Sequence, residues 1–163
     1  SDDLLLKNSL MNYINFLKKQ SSNDYDYICA QNEYLNLDDK FIKNIGREPE
    51  WKLMKFYMSA AHVASLHNTK LFDQVGLFNT KYKICADYEL LLRKKNKLKY
   101  KFIDYKIAQM KTGGMSFSTK ALAEQFIIRR GHLNIITNLL TFIFQIFLYT
   151  NFKIKYTIFH GVR

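Results

Sequence analysis

The sequence predicts an α/β fold followed by a helical tail, and three observations support this class. Segments with apolar residues at helical spacing alternate with segments rich in aromatic and β-branched residues. The 163 residues are 48% hydrophobic and 15% aromatic, which suffices for a buried core and excludes a disordered chain. The stretch 133–152 contains no charged residue and predicts a long apolar helix.

The first part of the chain predicts one helix and two strands. Apolar residues recur at three- and four-residue steps over 4–19, which predicts an amphipathic helix capped by Ser1. Residues 25–34 are rich in aromatic and β-branched types and predict a strand. A turn at 38–40 then leads into a short second strand over Phe41–Ile45.

The middle of the chain predicts two helices around an ambiguous segment. Residues 51–58 predict a short helix, and residues 60–67 suit either a buried strand or a loop that crosses the core. Thr69–Val75 predicts a helix with Thr69 near its cap and Gly76 past its end.

The third part predicts a helix, a strand and a second helix. Residues 86–97 predict a helix with a basic last turn, and residues 99–111 predict a strand. A glycine-containing loop over 112–116 follows, and Ser118 or Thr119 caps a helix that ends near Arg130.

The apolar tail is amphipathic in a way that leaves two interpretations open. Five polar residues that interrupt it fall on one narrow helical face: Asn134, Thr137, Asn138, Thr141 and Gln145. One interpretation is a helix in a membrane interface that contacts lipid through residues 133–155, with Lys153 and Lys155 at the headgroups. The other is a helix packed on its own domain or on a partner. The polar interruptions disfavour a full transmembrane span.

The charge balance indicates an anionic partner. Lys and Arg number 25 and Asp and Glu number 14, which gives a net charge of +11. Nucleic acid, a phosphorylated substrate and anionic lipid all fit that charge. Cys29 and Cys85 show neither zinc-finger spacing nor a disulfide framework, and they fit a reducing compartment.

Several side chains suit chemistry, and each also has a structural interpretation. Asp87 begins a predicted helix, where a carboxylate is either a general base or an ordinary helix-start residue. Glu89 and Arg93 lie four residues apart and predict a salt bridge, with Arg93 also suited to a diphosphate. His62 lies in an apolar stretch and suits either the core or a substrate site.

An ordered set of motifs resembles the second half of family 2 glycosyltransferases, the bacterial GT-A enzymes of surface polysaccharide biosynthesis. The motifs are AHV at 61–63, KLFDQVGLFN at 70–79, YK at 82–83, ADYELLLR at 86–93 and GGMS at 113–116. The resemblance implies the C-terminal half of a GT-A domain over 1–130, and the apolar helical tail follows it over 131–163. The donor-binding βαβ half, which precedes the acidic motif in that family, is absent from the sequence.

The resemblance also implies an activity and a metal site. It implies an inverting, metal-assisted transfer of a sugar from a nucleotide-diphosphate donor to a hydroxyl of a growing or lipid-linked glycan. Asp87 is then the general base. Asp3 is a ligand of Mg²⁺ or Mn²⁺ within the acidic motif, and Asp2 lies toward the ribose or a metal-bound water.

The remaining implied roles concern substrate and location. The residues implied to bind substrate are His62, Glu89, Arg93, Gly113, Gly114 and Ser116. The implied location is cytoplasmic, peripheral on the inner face of the membrane. Two alternatives stay open: a noncatalytic fragment or partner of a glycan assembly complex, and a basic nucleic-acid-binding module. The sequence shows no zinc spacing, RNP-like strand or helix-turn-helix signal, so we expect no nucleic acid.

Overall fold

A mixed β-sheet lies at the centre of the fold. The computed structural model describes residues 3–19 and 25–160, and within these it places five strands in one sheet. The strands are β1 (Leu4–Leu5), β2 (Tyr27–Leu35), β3 (Phe41–Ile45), β4 (Ser65–His67) and β5 (Tyr100–Lys111). Their order is β1–β5–β2–β3, with β4 also paired to β2.

Six α-helices surround or extend from the sheet within the described residues. They are α1 (Ser9–Lys19), α2 (Trp51–Met54), α3 (Thr69–Val75), α4 (Ala86–Arg93), α5 (Thr119–Arg129) and α6 (Ile135–His160). A short 3₁₀ helix over His62–Ala64 leads directly into β4.

The central strand β2 organises the sheet through both of its edges. Along one edge it runs parallel to β5 over its whole length, from Tyr27 opposite Tyr100 to Leu35 opposite Lys111. Along the other edge, β4 pairs antiparallel with its N-terminal end and β3 with its C-terminal end. The two ends of β2 therefore support different parts of the molecule.

Each face of the sheet carries its own apolar core, because alternate residues of a strand point to opposite faces. On one face Tyr27 and Cys29 pack with buried residues of α3, α4 and α5. On the other face Ile28 and Ala30 pack with Tyr13 of α1. Full burial of a large apolar side chain contributes about 1.5–3 kcal/mol, so both cores hold the sheet in place.

The single helix predicted over residues 4–19 is wrong at its start. Leu4 and Leu5 form β1, which pairs antiparallel with Gln109 and Ala108 of β5. Asn8 has a φ of +66°, a left-handed conformation that a continuous right-handed helix does not contain. The helix therefore begins at Ser9. The predicted cap Ser1 lies outside the described residues.

Other predicted elements are confirmed with changed boundaries. The helix predicted over 51–58 ends at Met54, and the segment 60–67 forms the 3₁₀ helix and β4. The helix predicted over 86–97 ends at Arg93, and Lys95 beyond it has a φ of +51°. The helix α3 has its predicted bounds, but its cap is Asn68, whose side chain accepts the N–H of Lys70.

The tail is a helix, as predicted, and it packs on α5. Its segment Ile135–Lys155 has a mean hydropathy of 1.5, and among the described residues only this helix is long and apolar enough to cross a membrane. The α/β class with a C-terminal helix is therefore confirmed.

Candidate active site

Asp87 lies in the first turn of α4, and its two carboxylate oxygens have different surroundings. Oδ1 accepts a hydrogen bond from the backbone N–H of Tyr88 at 2.8 Å. Oδ2 faces Nδ1 of His62 at 3.6 Å, and the Asp87 side chain is 22% exposed. A carboxylate is favoured at a helix N-terminus, where backbone N–H groups carry partial positive charge. The start of α4 therefore holds Oδ1, while Oδ2 faces His62 and the side chain stays partly exposed.

His62 approaches Asp87 from the 3₁₀ helix that precedes β4. Its side chain is 39% exposed, but Nδ1 is buried and has no hydrogen-bond partner among the described residues. The distance of 3.6 Å to Asp87 exceeds the usual N–H···O length of about 2.9 Å. The two atoms are therefore close but not hydrogen-bonded.

His67 lies beside His62 and contributes a neutral ring. The two imidazole centroids are 5.3 Å apart, and the ring of Tyr27 lies 5.0 Å from His67. Burial, together with the nearby His62, lowers the pKa of His67 to about 4. His67 is therefore uncharged at neutral pH.

Two phenylalanines form an aromatic wall beside the histidines. The rings of Phe72 and Phe78 are 5.6 Å apart, and Phe78 lies 6.5 Å from the ring of His62. Phe78 is 39% exposed, so part of the wall faces solvent. A few polar groups beside aromatic surface are typical of small-molecule sites. We call the set Asp87, His62, His67, Phe72 and Phe78 the Asp87 site.

Arg93 and Glu89 contact each other and hold the loop that carries Phe78. Nε of Arg93 donates to Glu89 at 3.0 Å, and Nη1 donates to the carbonyls of Val75 and Leu77 at 2.7 and 2.9 Å. The hydrogen bond to Glu89 raises the pKa of Arg93. Nη2 also donates to Glu89, so all three guanidinium nitrogens already have partners. This leaves little capacity for a ligand, and the geometry favours a positioning role for Arg93.

Glu124 of α5 fixes the start of α4, and sequence reasoning missed it. Its carboxylate accepts the backbone N–H groups of Lys83, Ile84 and Cys85 at 2.9–3.0 Å. Burial raises the pKa of Glu124, but these three donors outweigh it and hold the pKa below its ordinary value. Because Asp87 follows two residues after this segment, Glu124 indirectly positions the Asp87 carboxylate.

The loop containing the predicted substrate residues lies away from the Asp87 site. It follows β5, and the N–H of Thr112 donates to the carbonyl of Leu35 at the C-terminal end of β2. His67 pairs instead with the first residue of β2, about 25 Å away along that strand. The structure does not bring three of the predicted residues next to Asp87: Gly113, Gly114 and Ser116.

The predicted metal residues are only partly described. Asp3 directly precedes β1, and Asp2 lies outside the described residues. Within residues 3–19 and 25–160, no group of three or more His, Cys, Asp and Glu side chains is arranged to hold a metal ion. The site for Mg²⁺ or Mn²⁺ at Asp2 and Asp3 therefore stays a prediction.

Comparison with known proteins gives no match, either to a family model or to a curated protein. The resemblance to family 2 glycosyltransferases therefore stays a prediction, and the functional argument rests on the geometry of the Asp87 site.

Proposed function

We propose that this chain forms the acceptor side of an inverting glycosyltransferase in which Asp87 is the general base. The observation that carries the proposal is the partly exposed carboxylate at the start of α4, which faces His62 at 3.6 Å beside Phe78. The proposed donor is a nucleotide-diphosphate sugar, and the acceptor is a hydroxyl of a growing or lipid-linked glycan.

The proposed reaction is a direct displacement. The acceptor oxygen attacks the anomeric carbon, and the bond between that carbon and the diphosphate oxygen breaks with inversion. The nucleoside diphosphate leaves with the bonding electron pair. The acceptor proton passes to Oδ2 of Asp87, the oxygen that does not accept the N–H of Tyr88. A positioned general base contributes about 100- to 10,000-fold to such a reaction.

His62 is the proposed positioning residue for both the base and the acceptor. Nδ1 of His62 is buried, so the proposal requires the His62 ring to turn toward the acceptor. An Nδ1–H group then donates to the hydroxyl oxygen while the hydroxyl donates to the carboxylate. The buried nitrogen then gains the partner that it lacks among the described residues. This arrangement aligns the acceptor before the proton moves.

The fold supports the proposal at the level of topology. The mixed sheet, in which β2 is parallel to β5, has the α/β class that the proposal requires. A divalent cation at Asp2 and Asp3 stays a prediction, because Asp2 lies outside the described residues. The proton transfer to Asp87 does not depend on that cation.

The test is release of nucleoside diphosphate by the full-length protein from a panel of nucleotide sugars, with membrane lipid extract as the acceptor source. Each reaction is run with and without Mn²⁺ for the wild type, Asp87→Asn and Asp104→Asn. Asp104 is the matched control, because it is an exposed carboxylate on β5 whose hydrogen bond from Gln31 an asparagine oxygen can also accept.

The proposal predicts release by the wild type and by Asp104→Asn, and loss of release by Asp87→Asn. Release that is equal in all three proteins contradicts the assignment of Asp87 as the base. No release by any of them from any donor favours the noncatalytic alternative, a partner in a glycan assembly complex.

A further inference from the structure

The helix α6 is packed with its polar face inward. Asn138 is fully buried, whereas nine large apolar side chains between Ile135 and Leu148 are 40–70% exposed. A surface helix of a water-soluble domain has the opposite arrangement, with its apolar stripe on the core. This orientation leaves a continuous apolar surface along the outer side of α6.

Specific hydrogen bonds fix this orientation. The Asn138 side chain accepts from Nε of the fully buried Arg129 at 3.0 Å and donates to the carbonyl of Phe126 at 2.9 Å. Two turns later, Gln145 donates to the side chain of Gln125 at 2.9 Å. Rotation of α6 to bury its apolar side would leave the buried Arg129 without its amide partner, which is strongly unfavourable.

The helix also lies flat along the domain. Its contacts begin at Asn138 and continue to Tyr149 and Phe152, whose rings lie 5.0 and 4.7 Å from the ring of Phe117. At 1.5 Å per residue this contact extends about 21 Å along the helix axis. A helix that crossed a bilayer with these contacts intact would carry α5 into the hydrocarbon with it. The packing therefore favours a helix parallel to the membrane plane.

We propose that α6 is an interfacial membrane helix, docked on the domain by its polar face and inserted by its apolar face into the surface of an anionic lipid bilayer. The charges fit this partner. The protein carries a net charge of +11, and residues 131–155 contain no acidic residue. Exposed Lys153 and Lys155 follow the apolar face directly, where they can reach anionic headgroups.

A groove extends the apolar surface from α6 onto the domain. It has a volume of about 770 Å³ and lies between α6 and the segment that contains Phe56 and Tyr57. Arg47 lines it as well, with its guanidinium 5.8 Å from the ring of Tyr57. Apolar walls with one cation suit an acyl chain below an anionic headgroup.

The test is flotation of the full-length protein with vesicles of phosphatidylcholine, with and without roughly a third phosphatidylglycerol. The wild type should float with the anionic vesicles. The double variant Leu139→Glu with Ile143→Glu should lose at least about tenfold in partitioning, because both side chains lie on the outer face of α6. The matched control is Leu10→Glu with Ile14→Glu, which places the same charges at the same spacing on the exposed side of α1.

Three outcomes would overturn the proposal. The first is equal flotation of the two double variants. The second is a wild-type dimer that binds no vesicles and dissociates in the α6 variant, which would show that a second copy of the chain covers α6. The third is retention in cell membranes after an alkaline carbonate wash, which would indicate a spanning helix. Thermal unfolding confirms that each variant is folded, and none of these results bears on turnover by Asp87.

Discussion

The Asp87 site and the contact between α5 and α6 use polar side chains in opposite ways. In the Asp87 site, the facing groups are separated by 3.6 Å, and both side chains are partly exposed. Beneath α6, the amide of Asn138 is fully buried and makes both of its hydrogen bonds to the domain. The first region offers polar groups to a ligand, whereas the second uses them internally and offers apolar surface.

Because of this difference, substitutions in one region should change stability, and substitutions in the other should change function. Polar groups that already have protein partners contribute to folding, and their removal leaves buried groups unpaired. Partly exposed groups without close partners contribute little to folding and remain available for binding or catalysis. Substitutions in the two regions should therefore change different measured quantities.

The largest expected effect is on turnover, from Asp87→Asn. The amide keeps the size and the hydrogen bond from Tyr88 but cannot accept the acceptor proton, so turnover should fall by about 100-fold or more. The melting temperature should change by only a few degrees, since the side chain is partly exposed. Nucleoside diphosphate release and thermal unfolding measure the two effects.

His62→Asn is the control for this assignment. A positioning role for His62 predicts a loss of about tenfold, smaller than that of Asp87→Asn. If His62→Asn proved the more damaging change, then His62 rather than Asp87 would be the base.

The next largest effect is expected on stability, from Asn138→Ala. The substitution leaves Nε of buried Arg129 and the carbonyl of Phe126 unpaired, so the free energy of unfolding should fall by about 2–3 kcal/mol. Asn151→Ala is the matched control on the same helix. Among the described residues its amide bonds only the helix carbonyl of Phe147, and its loss should cost less than about 0.5 kcal/mol. Urea denaturation measures the free energy of unfolding of both variants. Equal losses in the two would contradict the structural role of Asn138.

A smaller effect, on both turnover and stability, is expected from Glu124→Gln. The carboxylate of Glu124 accepts three backbone N–H groups, and a glutamine would place its own N–H group opposite some of them. The free energy of unfolding should therefore fall by about 1–2 kcal/mol. Turnover should fall several-fold because the start of α4 shifts. Glu33→Gln, which changes a carboxylate that accepts from Lys106 and Gln109, should have little effect on either quantity. An unchanged turnover in Glu124→Gln would remove Glu124 as a positioning residue.

The smallest effect is a pH dependence of stability due to His67. Its pKa is about 4 in the folded protein and 6.5 in the unfolded chain, so the unfolded chain binds the proton more readily. The stabilisation is fully present above pH 6.5 and is lost as pH falls toward 4. With allowance for partial exposure, the loss should be about 1–2 kcal/mol. Urea denaturation of the wild type and His67→Gln at several pH values should show a smaller decline in the variant, and parallel curves would contradict this account.

Elements with a local signal were predictable from the sequence. The strand Phe41–Ile45 and the helix Thr69–Val75 have their predicted bounds, and the cap of α5 is Ser118, one of the two residues predicted for it. The strand β1 was not predictable, because Leu4 and Leu5 suit a helix or a strand equally. Their pairing with Gln109 and Ala108, about a hundred residues later, decides between the two.

The candidate site was predictable only in part, because it also depends on contacts between residues that are distant in the sequence. Asp87 and His62 each carry a signal in the sequence, and the fold brings them together. Glu124 carries no local signal, since its partners lie about 40 residues earlier. The two faces of α6 were visible in the sequence, but periodicity does not tell which face is buried. Buried Arg129, which requires the amide of Asn138, makes that choice.

The most direct test compares turnover and stability in the same preparations of Asp87→Asn and Asn138→Ala. The account predicts that Asp87→Asn loses turnover and keeps its free energy of unfolding. It predicts that Asn138→Ala loses stability and keeps turnover per folded molecule. Full turnover by Asp87→Asn, or a loss that only follows its unfolded fraction, would contradict the central claim that Asp87 acts as the base.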